Sequence, residues 1–210
     1  MRLGVFGGSF DPVHVGHLLV AETCREEARL DRVLFVPAAV APHKEAGTFA
    51  AAADRVAMLD LAIGGNDGFD LSTLEIDRGG VSYTVDTLAA LRDAHPDASL
   101  HLILGPDSLE QFSTWRDPAR ILRLASLLPV VQDGRDDVAA ICDRGGLARW
   151  LDPRAIAKLA DERVVVPVVG VRSTAIRQRV AAGRGIGYRV PRAVERYIES
   201  HGLYRGGACS

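Results

Sequence analysis

The sequence predicts an α/β fold: a doubly wound, mostly parallel sheet with helices on both faces. Short apolar runs alternate with longer helical patterns, the order that builds a parallel sheet. The runs are rich in Val, Leu and Ile and continuously apolar, as strands buried on both faces are. Polar, chemically capable residues collect just beyond the carboxyl ends of these runs, which is where open α/β sheets bind ligands.

Taken in order, Arg2–Phe6 reads as a strand that stops at Gly7-Gly8. Val15–Leu30 reads as a helix with Leu18, Leu19 and Cys24 among its apolar positions. Val33–Val36 is a second strand, stopped by Pro37, and the alanine-rich Phe49–Ile63 is a helix ended by Gly64-Gly65. Phe69–Leu74 is a third strand, and Val85–Ala94 is a helix closed by Pro96. Leu100–Leu104 is a strand ending at Gly105-Pro106, followed by short helices at Ser108–Phe112 and Pro118–Leu124. Leu127–Val131 and Val164–Val169 are further strands. Between them, Asp133–Asp161 has helical pieces split by Gly145-Gly146 and Asp152-Pro153. Ser173–Ala182 and Arg192–Ser200 finish the chain as helices. One domain is expected over residues 1–205, with 206–210 as a flexible tail.

At 210 residues, 48% apolar and 25% charged, the chain has an ordinary globular composition and needs no disulfide staple. The 25 Lys+Arg against 27 Asp+Glu give a formal charge of −2, which argues against a dedicated nucleic-acid or anionic-membrane binder. The 3 cysteines lie far apart, with no zinc spacing, so a reducing cytoplasmic compartment is expected. No apolar run approaches the roughly 20 residues that span a bilayer. The early glycines do not suit a signal peptide. A homo-oligomer is left open.

After the first strand comes Gly7-Gly8-Ser9-Phe10-Asp11-Pro12-Val13-His14-Val15-Gly16-His17. It is neither a Walker loop nor a dinucleotide fingerprint, yet it shares their logic. Two glycines admit close backbone approach, and a helix then offers its positive end to an anion. His14 and His17, three apart, share one side of the first turn and can donate to phosphate oxygens. The plainer alternatives are a turn histidine with a satisfied core histidine, or a metal site with Asp11.

The other strand ends carry weaker signals. Lys44 follows an apolar, proline-rich loop, Pro37–His43, and can act as a point charge on phosphate or as a solvated residue. Ser82 or Thr84 suits the N-cap of the next helix, and Tyr83 beside them can stack on a planar ring. Asp107, just past Gly105, can hold a ribose diol or cap a helix. Phe112 and Trp115 can be core. Ser173 or Thr174 can cap the penultimate helix, with Arg177 in its first turn for an anion or for the surface.

The string His14-Val15-Gly16-His17 resembles the HxGH signature of the nucleotidyltransferase superfamily, and so implies its Rossmann-like fold. Class I aminoacyl-tRNA synthetases share it, but this chain is short for them and lacks a KMSKS motif. Three further strings narrow the match: Pro42-His43-Lys44, Ser82-Tyr83-Thr84, and Gly105-Pro106-Asp107-Ser108-Leu109 running on to Phe112 and Trp115. With Ser173-Thr174-Ala175-Ile176-Arg177 and the ending Gly202-Leu203-Tyr204, they resemble the bacterial nicotinate-nucleotide adenylyltransferases from residue 2 to residue 205. Three places depart from the family pattern, the first being Ala41, where a proline is usual. Arg172 stands where a serine is usual, and Asp133-Gly134-Arg135 stands where an R-P-G turn is common.

The resemblance implies transfer of AMP from ATP to nicotinate mononucleotide, giving deamido-NAD and pyrophosphate. It implies catalytic roles for His14, His17, Arg177 and Lys44. ATP would meet Gly7, Gly8, Ser9, Phe10, His14 and His17 at the first strand end, Gly105 and Asp107 at the fourth, and Ser173, Thr174 and Arg177 at the last. Nicotinate mononucleotide would meet Ser9, Lys44, Tyr83, Thr84, Asp107, Trp115 and Arg116, with Trp115 stacked on the pyridine ring. Mg²⁺ would be held mainly by the ATP phosphates, with no metal site in the protein. The alternatives are a sister adenylyltransferase acting on nicotinamide mononucleotide or another phosphomonoester, and a non-catalytic nucleotide-binding protein.

Overall fold

The structure, a computed structural model, describes residues 1–40, 49–132 and 136–205. Lys44, the Asp133-Gly134-Arg135 turn and the 206–210 tail lie outside the described residues. The elements in chain order are β1 (Arg2–Gly8), α1 (Val15–Glu27), β2 (Arg32–Pro37), α2 (Ala52–Ile63), β3 (Phe69–Leu71), α3 (Leu74–Arg78) and α4 (Thr84–Ala94). There follow β4 (Ser99–Leu104), α5 (Pro106–Glu110), α6 (Pro118–Leu124), β5 (Ser126–Gln132), α7 (Val138–Arg144), α8 (Pro153–Asp161), β6 (Val164–Val166), α9 (Ser173–Ala181) and α10 (Arg192–Ser200). Short 3₁₀ turns occupy Phe112–Thr114 and Leu147–Arg149.

The six strands form one sheet in the order β3-β2-β1-β4-β5-β6. This is the doubly wound order, with its switch point between β1 and β4. Those two strands run parallel with Arg2 opposite Ser99 and Val5 opposite Leu102. β4 then pairs in parallel with β5, and β5 with β6. Leu3, Val5, Leu100, Leu102, Leu104, Leu127 and Val131 are all buried, as the apolar runs require.

The chain divides into two compact units. One holds Met1–Gly7, Val20–Leu34 and Tyr83–Val168; the other holds the described residues of Gly8–Leu19, Phe35–Ser82 and Val169–Ser210.

Where the elements differ from expectation, the cause is local. The third strand ends at Leu71 rather than Leu74: the Ser72 N–H makes a last bond to Phe35 O of β2, and the chain then winds into α3 from Leu74. Gly79, at φ 69°, closes that helix with the left-handed backbone that glycine adopts freely. β6 stops at Val166 because Pro167 has no N–H for a ladder. Helix α1 ends at Glu27, where Arg29 turns left-handed and buries Leu30. The ambiguous stretch before β6 resolves into α7 and α8. Each starts on an aspartate cap, Asp137 accepting from Ala139 and Ala140 N–H, and Asp152 from Ala155 N–H.

Candidate active site

In the second unit the loop from Gly8 to His17 is held from several sides. Gly8 O accepts from Ala38 N–H at 2.9 Å. Phe10 has φ 46°, uncommon outside glycine, and its ring is buried edge-on to His17 at 5.0 Å between centroids. The Phe10 side chain is therefore a packing element of the loop. The buried Arg55 of α2 donates from Nη1 to Ser9 O at 2.9 Å. Arg177 of α9 donates from Nη1 to Asp11 O at 2.8 Å, and Ser173 Oγ donates to Pro12 O at 2.9 Å.

His14 and His17 come together as their spacing predicts. Their rings stack, 3.7 Å apart and 21° from parallel. The His14 backbone N–H donates to His17 Nδ1 at 3.2 Å. A neutral His17 that accepts at Nδ1 carries its proton on Nε2. Gly16 makes this packing fit, since a Cβ there would meet His14 Nδ1 at 3.0 Å. His14 is 7% exposed, and its Nδ1 has no partner among the described residues. Burial pushes its pKa down to about 4, so it is neutral near pH 7.

That shift has a consequence for stability. Below its ordinary pKa of 6.5 the unfolded chain takes up a proton at His14 that the folded chain refuses down to about 4. Stability is full above that window and falls as pH drops through it, by about 3 kcal/mol at 1.36 kcal/mol per unit. Urea titrations between pH 7 and 4 are expected to show this slope, and a smaller one in His14→Asn. An unchanged slope in the variant would contradict the assignment.

Asp11 is buried at 3% exposure and is the hub of this unit. Its Oδ2 accepts from Phe49 N–H at 2.7 Å, and its Oδ1 from Ala50 N–H at 3.2 Å and Tyr204 Oη at 2.7 Å. Arg177 is buried rather than on the surface, lies 4.1 Å from the Phe49 ring centroid, and donates from Nη2 to Thr174 Oγ1. Arg55 and Tyr204 carry no site assignment from sequence, and Asp11 enters there only as a metal-ligand alternative. Arg55 gives no motif signal; Tyr204 belongs to the Gly202-Leu203-Tyr204 ending, which has no evident chemistry of its own.

The expected caps are corrected. Neither Ser173 nor Thr174 caps α9: the N-cap residue is Arg172, which makes no side-chain cap bond, and the Ser173 hydroxyl serves Pro12 O instead. The N-cap residue of α4 is Tyr83, without a side-chain cap bond, rather than Ser82 or Thr84. Ser82 Oγ instead accepts from Ala39 N–H at 2.9 Å, in the segment that leads towards Lys44.

In the first unit, the Arg116 guanidinium sits 4.8 Å from the Tyr83 ring centroid and 3.3 Å from Asp86. Phe112 is fully buried, whereas its neighbour Trp115, 5.5 Å away, is half-buried. The core alternative therefore holds for Phe112 and not fully for Trp115. Thr84 opens α4 half-buried, and Asp107 is exposed in the first turn of α5, just past Gly105. Gly7 is exposed at the end of β1. Among the described residues no cluster of three or more His, Cys, Asp or Glu side chains is placed to hold a metal, and no helix is long and apolar enough to cross a membrane.

A family model described as cytidylyltransferase-like matches residues 5–179. A protein of Thermomicrobium roseum named "Probable nicotinate-nucleotide adenylyltransferase" is 46% identical over 205 residues, covering 97% of this chain and 92% of its own. Proteins of the same name from Salinibacter ruber and Thermus thermophilus are 42% and 44% identical, each over 98% of this chain and 98% and 100% of their own. Among solved structures, Plasmodium falciparum nicotinic acid mononucleotide adenylyltransferase complexed with NaAD aligns at TM-score 0.70 and 15% identity, over 97% of both chains. That likeness confirms the fold. The full-length identity to the bacterial relatives goes further: this chain belongs to the nicotinate-nucleotide adenylyltransferases, within the cytidylyltransferase-like family.

Proposed function

We propose that the chain transfers AMP from ATP to nicotinate mononucleotide, giving deamido-NAD and pyrophosphate. The observation that carries this reading is the stacked, hydrogen-bonded His14–His17 pair, in a chain 42% to 46% identical to relatives named for the reaction. The phosphate oxygen of the acceptor attacks the α-phosphorus of ATP. A new P–O bond forms there as the bond to the bridging oxygen breaks and pyrophosphate leaves. The acceptor is a phosphate monoester, whose second pKa near 6 leaves it mostly dianionic at pH 7, so no proton has to be removed first.

The work left to the protein is to align two polyanions and to stabilise charge on the α-phosphoryl oxygens. His17 Nε2–H and the neutral His14 ring are the donors for the α- and β-phosphates, and the backbone of Gly7, Gly8, Ser9 and Phe10 is assigned to the same triphosphate. Thr174 and Arg177 are assigned to these phosphates from the start of α9, and Lys44 adds a point charge. Asp107 is assigned to a ribose diol next to Gly105. Mg²⁺ enters as part of the substrate, chelated by the ATP phosphates.

Tyr83, Thr84, Trp115 and Arg116 are assigned to the pyridine nucleotide. The half-buried Trp115 offers a ring face, and the Arg116–Asp86 pair fixes a cation over Tyr83. Trp115→Ala is expected to raise KM for nicotinate mononucleotide about tenfold, the effect of losing one aromatic stack of about 1–1.5 kcal/mol. KM for ATP should stay within about twofold. A rise in the ATP constant instead would place Trp115 on the adenine side. Deamido-NAD identified by mass in the reaction mixture tests the reading itself.

A further inference from the structure

The buried charges around Asp11 do not pair in the obvious way. The Arg55 and Arg177 side chains are both buried, and each turns a guanidinium nitrogen onto a main-chain carbonyl of the histidine loop, Ser9 O and Asp11 O. The carboxylate of Asp11 instead takes two backbone N–H groups and the Tyr204 hydroxyl. Arg55 Nε and Nη2 and Arg177 Nε are buried and have no partner among the described residues. Charged donors bind a carboxylate more strongly than they bind a neutral carbonyl. These donors nonetheless stay on the loop carbonyls rather than on the Asp11 carboxylate.

Tyr204 is placed to do this. Its hydroxyl occupies Asp11 Oδ1 at 2.7 Å. The phenol lies in the field of the Asp11, Arg177 and Arg55 charges, and burial with the neighbouring carboxylate pushes its pKa far up, so it remains a donor at any working pH. Its backbone is wound for the purpose. Gly202 and Tyr204 both adopt left-handed φ, 62° and 63°, and the Leu203 N–H donates to Ile198 O at the end of α10.

We propose that Tyr204 is a positioning residue for the transfer reaction. By occupying Asp11 Oδ1, it leaves Arg55 and Arg177 on the carbonyls of Ser9 and Asp11 and so fixes the loop that carries His14 and His17. Without the hydroxyl, a guanidinium turns an unpartnered N–H onto that lone pair, the turn draws its Nη1 off the loop carbonyl, and the histidines lose their alignment. The loss falls on the rate, because the loop is needed in register at the transition state and substrate binding draws on many other groups. This inference rests on the adenylyltransferase reading above.

The test is Tyr204→Phe, which keeps the ring and removes one hydroxyl. Wild-type turnover with ATP and nicotinate mononucleotide is measured first; its absence would sink the functional reading. With an active wild type, Y204F is expected to lose about tenfold in kcat per folded molecule, with both KM values within about twofold. The second arm compares D11N with Y204F/D11N. If Tyr204 acts through Asp11, the double variant is no slower than D11N alone. An unchanged kcat in Y204F, or losses that multiply in the double variant, overturns the proposal. Should D11N fail to fold, the kcat against KM split in Y204F decides alone.

Discussion

His17→Ala is expected to lower kcat by about 100- to 1,000-fold, the range seen when one preorganised donor to a developing oxyanion is removed. Dissociation constants for ATP and nicotinate mononucleotide should move by less than about threefold. The asymmetry follows from the geometry. The His14 main-chain N–H holds His17 Nδ1, so the imidazole arrives with its tautomer and orientation set and presents Nε2–H. Such a donor contributes most where charge is greatest, at the transition state. Loss of the ring also removes the stacking partner of His14 and the edge contact with Phe10, so a drop of about 1 kcal/mol in stability is expected as well. Single-turnover rates beside calorimetric binding separate the effects. Equal losses in binding and rate would make His17 a ground-state ligand only.

Arg177→Lys is expected to cost about 100-fold or more in kcat, although the charge is kept. Arg177 uses its planar fork: Nη1 reaches Asp11 O, Nη2 reaches Thr174 Oγ1, and the face of the group packs on Phe49. One ammonium cannot reproduce two divergent bonds and a stacked face. It would leave either the loop carbonyl or Thr174 unsatisfied in a buried setting, a penalty of about 1–3 kcal/mol for each such group. Thermal unfolding should therefore shift down together with the rate. A lysine variant with native stability and a rate within about threefold of wild type would mean that charge alone matters at this position.

Much of the fold was legible in the sequence because its strands are continuous apolar runs and several of its helices begin at aspartate or proline. Pro118–Leu124 and Arg192–Ser200 stand as their patterns predict, with Pro118 and Arg192 each at the first helical position. The histidine spacing likewise predicted a shared side, which the stacked rings show. What could not be read is tertiary hydrogen bonding. Ser82 and Ser173 look like caps in sequence, yet their hydroxyls are drawn to Ala39 N–H and Pro12 O, partners far away along the chain. Arg177 looked like an anion ligand or a surface cation, and its bonds to Asp11 O and Thr174 emerge only in three dimensions. Arg55 sits in an alanine-rich helix that gives no hint of a buried charge, and Tyr204 reaches Asp11 only because the chain turns left-handed after α10.

The most direct test of the account is pyrophosphate release by the purified protein with ATP and Mg²⁺. Nicotinate mononucleotide, nicotinamide mononucleotide and phosphopantetheine are offered separately as acceptors. Rapid release with nicotinate mononucleotide, and release at least about tenfold slower with the other two, is the predicted result. Equal or faster release with either other acceptor would contradict the assignment of Tyr83, Thr84, Trp115 and Arg116 to nicotinate mononucleotide. Silence with all three, in a protein that still binds ATP, would contradict the catalytic role of the His14–His17 pair.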